Sequence, residues 1–80
     1  MGNPMHQEVE SEVLNILQEA TKTKISLDQP LLDSGLVDSI AAVDIALAVE
    51  SALGVTIPAT EIGEQLKTAR TLIEYVSSHR

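Results

Sequence analysis

The feature of this sequence that most limits its fold is a helical hydrophobic periodicity in three separate stretches, with no alternating stretch long enough for a strand. Residues 6–21 and 69–78 place their larger apolar side chains on one side of a helix, and residues 39–53 place most of theirs on one broad side. Residues 60–66 favour one short further helix, and residues 1–5 are predicted to be a disordered tail. Eighty residues with this pattern predict a single all-α domain over 1–80, a small bundle of three main helices plus a short one.

The segment between the first two helices is unusually apolar for a loop. Residues 22–38 contain Pro30, Gly35 and three aspartates, which disfavour a helix, together with six aliphatic side chains. These are Ile25, Leu27, Leu31, Leu32, Leu36 and Val37. We therefore expect a long ordered loop packed on the core rather than a flexible linker.

The second helix has clear start and stop signals. Asp38 is a favoured N-cap residue, Ser39 then opens the helix, and Gly54 suits the position after its last turn. A helical projection at about 100° per residue predicts one broad core face. That face comprises Ala42, Ile45, Ala46, Val49, Ala52 and Leu53.

The charge distribution limits the classes of partner. The formal net charge is −7, and between Lys24 and Lys67 there are seven acidic residues and no Lys or Arg. This argues against nucleic acid and favours partners with basic surfaces, although a merely solubilising acidic surface explains it equally well. The chain lacks cysteine, a long apolar run and a visible secretory signal, so we expect no disulfide, no membrane insertion and a cytoplasmic location.

The polar face of the second helix predicts a docking patch for such a partner. Ile40 and Leu47 project among Asp44 and Glu50 on this face. An apolar anchor ringed by carboxylates would supply contact energy and orient a basic partner. The alternative is that the leucine-rich loop covers the two apolar side chains.

Ser39 lies where a phosphate would be favoured, because the first turn of a helix presents unpaired amides and the positive end of the helix dipole. No general base is near it in sequence, and the two histidines, His6 and His79, are expected to be surface residues near the ends. We predict no catalytic residue and no metal site, since Asp28, Asp33 and Asp38 do not have EF-hand spacing. In the simpler alternative, Ser39 only begins a helix.

Several motifs together resemble the acyl carrier and peptidyl carrier superfamily over nearly the whole chain. They are Gly35-Leu36-Val37-Asp38-Ser39-Ile40, Leu53-Gly54-Val55, Ile57-Pro58 and the closing helix. The resemblance implies an acyl-carrier-like bundle with phosphopantetheine attached to Ser39, flanked by the capping Asp38, and with the second helix as the recognition helix. It further implies a stand-alone, monomeric, non-catalytic carrier that holds its cargo as a thioester. Its partners would be a phosphopantetheinyl transferase, a cargo-loading ligase or acyltransferase, and a downstream synthase or transferase.

Several positions differ from those of primary fatty-acid carriers and indicate which kind of carrier the chain resembles. Ala41 and the Ser51-Ala52 pair stand where primary fatty-acid carriers typically have acidic residues, Leu53 stands where they have phenylalanine, and Ile40 where they have leucine. These differences favour a specialised polyketide, peptide, aminoacyl or D-alanyl pathway. A housekeeping fatty-acid carrier and an unmodified acidic interaction domain remain the alternatives.

Overall fold

The computed structural model describes residues 4–79, with side chains from residue 8 onward. Four α-helices occur in this range, with a 3₁₀ turn over Ala59–Glu61 leading into the third. They are α1 (Pro4–Thr21), α2 (Ser39–Leu53), α3 (Ile62–Gln65) and α4 (Ala69–His79). Helix α1 packs against both α2 and α4, and α3 contacts α2 and α4. The predicted all-α bundle with a long loop between its first two main helices is confirmed.

Two helix ends differ from the predicted bounds. Helix α1 begins at Pro4, so Pro4 and Met5 belong to the helix and not to a tail, while residues 1–3 lie outside the described range. Proline suits a first helical position because its φ is already helical and its missing N–H would have no partner there. Helix α4 extends to His79, and the predicted short helix over 60–66 is a 3₁₀ turn followed by one α-helical turn.

The core lies between α1, α2 and α4 and includes the apolar residues of the loops. Its fully or almost fully buried side chains are Val9, Val13, Leu17, Leu31, Val37, Ala42, Ile45, Val49, Val55, Leu66, Ala69, Leu72, Ile73 and Val76. Ala52, which the helical projection placed on the core face, is exposed. The reason is that α1 and the end of α2 leave a shallow groove there, lined by Ala52 and Leu53 from α2 and by Glu8, Ser11 and Glu12 from α1.

The loop over 22–38 is fastened to the start of α4. The Leu31 amide donates to the Lys67 carbonyl oxygen at 2.9 Å, and the Arg70 amide donates to the Leu27 carbonyl oxygen at 2.9 Å. The Arg70 guanidinium also pairs with the Asp28 carboxylate, with Nε and Oδ1 2.7 Å apart. The apolar loop segment is therefore ordered by main-chain bonds as well as by burial.

The ion pair makes a small pH-dependent contribution to stability. Hydrogen bonding from Arg70 holds the pKa of Asp28 below its usual value, against a smaller opposing effect of desolvation, and the charge of Arg70 lowers it slightly further. A carboxyl whose pKa is lower in the folded state adds stability above its unfolded-state pKa, and that stability is lost as the pH falls through the folded-state pKa. Because both side chains are well exposed, solvent screens the effect.

Helices α1 and α2 end in the same backbone conformation with different residues. Gly54 after α2 has φ 72° and its amide donates to the Glu50 carbonyl oxygen at 2.9 Å. Lys22 after α1 has φ 59° and its amide donates to the Gln18 carbonyl oxygen at 2.7 Å. A lysine in this left-handed region carries a steric cost that glycine avoids.

We therefore expect Lys22→Gly to raise the free energy of unfolding by about 0.5–1 kcal/mol, after allowance for the added freedom of glycine in the unfolded chain. Urea denaturation monitored by circular dichroism measures the change. Lys24→Gly is the matched control, since it removes the same charge from the same loop at a residue without positive φ. Equal destabilisation of the two variants would contradict the prediction.

Candidate functional site

The start of α2 is a capped helix terminus that presents a serine to solvent. Asp38 has an extended backbone, and its Oδ1 accepts a hydrogen bond from the Ala41 amide at 2.8 Å. Its carbonyl oxygen accepts the Ala42 amide at 2.8 Å. Ser39, the first residue of the helix, is exposed. The cap thus sets the helix start so that the Ser39 hydroxyl lies on the surface at its first turn.

The loop over 22–38 fixes the position of the residues that precede Ser39. Val37 is buried, and its amide donates to the Leu31 carbonyl oxygen at 3.1 Å. Leu31 is itself fully buried and bonded to Lys67 through its amide. The residues that precede Ser39 are therefore held by the core, and the serine has a defined position.

The helix terminus favours an anion beside Ser39. The amides of Ser39 and Ile40 lie in the first turn, where no carbonyl one turn earlier is available to them, and Asp38 caps the amide of Ala41. Together with the positive end of the helix dipole, these amides suit a phosphate group on the serine oxygen.

His79 is engaged away from Ser39. His79 stacks on Tyr75 with ring centroids 4.0 Å apart, and its Nδ1 lies 2.8 Å from the Tyr75 carbonyl oxygen. The side chain of His6 lies outside the described side chains. Within the described part of the chain no group of three His, Cys, Asp or Glu residues could hold a metal ion. Among the described side chains, His79 is thus bonded to Tyr75 and not to Ser39.

The outward face of α2 carries an apolar strip formed by Ile40, Val43 and Leu47. These side chains are 76%, 49% and 58% exposed, so the leucine-rich loop does not cover them. In helical projection the strip lies between Asp44 on one side and Glu50 on the other. Val43 was missing from the predicted patch, although the same projection places it between Ser39 and Leu47 and could have found it.

The two flanking carboxylates differ in their surroundings. Glu50 accepts a hydrogen bond from the Thr56 hydroxyl at 3.1 Å, and the Tyr75 hydroxyl donates to the Thr56 carbonyl oxygen at 3.4 Å. Asp44 instead borders a groove between α1 and α2. Asp28 belonged to the acidic segment by sequence, but its pairing with Arg70 offsets its charge. Within residues 8–79, Asp44 and Glu50 of α2 form no such ion pair, so both keep their negative charge beside the apolar strip.

Comparison with known proteins places these features in a family. Residues 11–76 match the family described as "Phosphopantetheine attachment site". A D-alanyl carrier protein of Streptococcus mutans is 32% identical over 76 residues, which is 91% of this chain and 96% of that protein. D-alanyl carrier proteins of Streptococcus suis and Bacillus pumilus are each 35% identical, over 86% and 68% of this chain and 91% and 73% of their own lengths.

Proposed function

The chain belongs to the phosphopantetheine attachment site family, and from that premise we propose that Ser39 receives the phosphopantetheine and that the cargo is a D-alanyl group. The protein is a carrier whose prosthetic group is phosphopantetheine. The observation that supports Ser39 is its exposed hydroxyl on the first residue of α2, directly after the capping Asp38.

The residues at this terminus fit the group chemically. Phosphopantetheine, when attached, supplies a terminal thiol that carries an acyl group as a thioester. The Ser39 hydroxyl would form the phosphodiester bond with the phosphopantetheine of coenzyme A as the pyrophosphate bond breaks and adenosine 3′,5′-bisphosphate leaves, and the transferase would take the hydroxyl proton. The amides of Ser39 and Ile40 at the helix start would favour the negative charge of the attached phosphate. Asp38 keeps its own carboxylate on the Ala41 amide, 2.8 Å away, and so maintains the helix start during modification.

The proposed cargo rests on the relatives and on the surface of α2. The relatives named D-alanyl carrier protein cover almost the whole chain at about one-third identity. Ala41, Ser51 and Ala52 make α2 less acidic than the docking helix of a fatty-acid carrier. We propose that a D-alanine ligase loads the carrier and a transferase unloads it, that the carrier catalyses neither step, and that loading takes place in the cytoplasm, where coenzyme A is available.

The test uses two successive additions followed by intact-protein mass spectrometry. The protein is first incubated with coenzyme A and a broad-specificity phosphopantetheinyl transferase, then with ATP, D-alanine and a D-alanine:carrier ligase. We expect one phosphopantetheine, followed by one alanyl group that hydroxylamine releases. L-alanine with the same ligase, and a fatty acid with an acyl-carrier synthetase, are the controls. Preferential loading of the fatty acid would contradict the proposed cargo but leave the attachment site in place.

A substitution of Leu47 tests whether the apolar strip contacts partner enzymes, separately from any effect on folding. We expect Leu47→Ala to raise the KM of the transferase or ligase about threefold to tenfold, since an exposed apolar side chain at the centre of a contact contributes to binding. The free energy of unfolding should change by less than about 1 kcal/mol because Leu47 is 58% exposed.

Ile45→Ala is the matched control for Leu47→Ala. Ile45 lies two residues away on the same helix and is fully buried, so its truncation should cost about 2–5 kcal/mol of stability. Enzyme assays are run where both variants are folded. An unchanged KM for Leu47→Ala would exclude the strip as a docking surface.

A further inference from the structure

A second surface lies beside the apolar strip, on the far side of Asp44. It is an open groove of about 540 Å³ between α1 and α2. Its floor is apolar and consists of Ile16 and Ala20 from α1 with Ala48 from α2, above the buried Ile45. The two alanines lack bulk, so they leave room for the side chains of another molecule. The groove therefore offers an apolar contact that the bundle itself does not fill.

The rim of this groove is acidic on both helices. Glu12 and Glu19 of α1 face Asp44 of α2 across it. Neither helix contains Lys or Arg, and the ion pair found within residues 8–79 joins Asp28 to Arg70 instead. The carboxylates of the rim thus keep their negative potential, which favours a cationic occupant.

Two further observations indicate which kind of cation the groove would bind and where. Within the described residues no group of three His, Cys, Asp or Glu side chains is placed to hold a metal ion, which favours a cationic side chain over a metal ion as the occupant. Lys22 and Lys24 line an adjoining depression that includes Glu19, which makes that end of the groove less negative. A cation would therefore be drawn toward the end marked by Glu12 and Asp44.

We propose that the α1–α2 groove is a docking site for a cationic amphipathic helix of a partner protein. Two neighbouring helices form a natural cradle for a third, whose apolar side chains pack on the floor while Lys or Arg side chains meet the rim. The open shape favours this occupant over a small molecule, which would remain largely in contact with water. Asp44 borders both the groove and the apolar strip, so one partner can contact both surfaces.

The occupancy of the groove can be tested without any assumption about Ser39. The probe is a synthetic helical peptide with leucines on one face flanked by arginines, titrated into ¹⁵N-labelled full-length protein. We expect amide shifts at Asn15, Ile16, Ala20 and Ala48. A peptide with its arginines replaced by glutamate should not bind.

Glu12→Lys is the variant that tests the charge pairing. It should weaken peptide binding about fivefold, because an attractive surface pair becomes repulsive. Glu64→Lys is the matched control, since it makes the same change of charge on exposed α3, outside the groove. The glutamate peptide should regain binding to Glu12→Lys relative to the original protein, which isolates the pairwise contact.

Two results would overturn the proposal. Shifts confined to Ile40, Val43 and Leu47 would place the peptide on the apolar strip and leave the groove empty. Equal weakening by Glu12→Lys and Glu64→Lys would show that net charge, and not the groove, attracts the peptide. Neither result bears on whether Ser39 is modified, so this proposal and the proposed function fail separately.

Discussion

Ser39→Ala is expected to abolish attachment of phosphopantetheine completely while the protein stays folded. The substitution removes the one atom that would form the phosphodiester, and the expected loss is therefore total and not fractional. Intact-protein mass spectrometry after incubation with coenzyme A and a phosphopantetheinyl transferase measures it. The original chain should gain one group and the variant none.

The fold should survive Ser39→Ala because the cap is a different residue. Asp38, not Ser39, accepts the Ala41 amide, and Ser39 is exposed. Stability should then stay within about 0.5 kcal/mol, as for other surface substitutions that break no cap or core contact. An unfolding curve that matches that of the original chain would show that modification is lost because the hydroxyl is absent and not because the fold is disrupted.

Ser51→Ala is the matched control for the hydroxyl. Ser51 is also exposed on α2, but it lies in the last turn, away from the free amides of the helix start. It should be modified at the original rate. Modification of Ser39→Ala at any other residue would refute the assignment, and absence of modification in the original chain, under conditions that modify a known carrier, would favour an unmodified helical interaction domain.

The features of this fold that depend on residues close together in the sequence could be predicted. Helical periodicity arises from burial of one face, so the all-α bundle followed from the spacing of the apolar residues. The apolar composition of the loop predicted its order, and Leu31 and Val37 are indeed buried. The projection of α2 also indicated that Ile40 and Leu47 point away from the core, and both are exposed.

Features that depend on how helices meet could not be predicted in the same way. Asp28 and Arg70 pair across 42 residues of sequence, and no local pattern indicates such a contact. The exposure of Ala52 and the groove between α1 and α2 depend on the relative placement of the two helices. Lys22 adopts a positive φ although lysine disfavours this conformation. The position at which α1 ends is therefore not indicated by the residue type of Lys22.

The largest change in stability that we expect outside the helices is in the loop that precedes Ser39. Leu31 is fully buried although it belongs to no helix, and Leu31→Ala should lower the free energy of unfolding by about 2–5 kcal/mol. A domain of this size has a total stability of only about 4–12 kcal/mol. A single loop residue could therefore account for a large part of it.

Leu32→Ala is the control that tests this interpretation of Leu31→Ala. Leu32 is the next residue and only half-buried, so its truncation should cost clearly less, about 1 kcal/mol. Urea unfolding of both variants gives the comparison. If Leu31→Ala cost no more than Leu32→Ala, the loop would be an independent segment and the position of Ser39 would depend on the Asp38 cap alone. A large difference would mean that the core, through Leu31 and Val37, holds the attachment site in place.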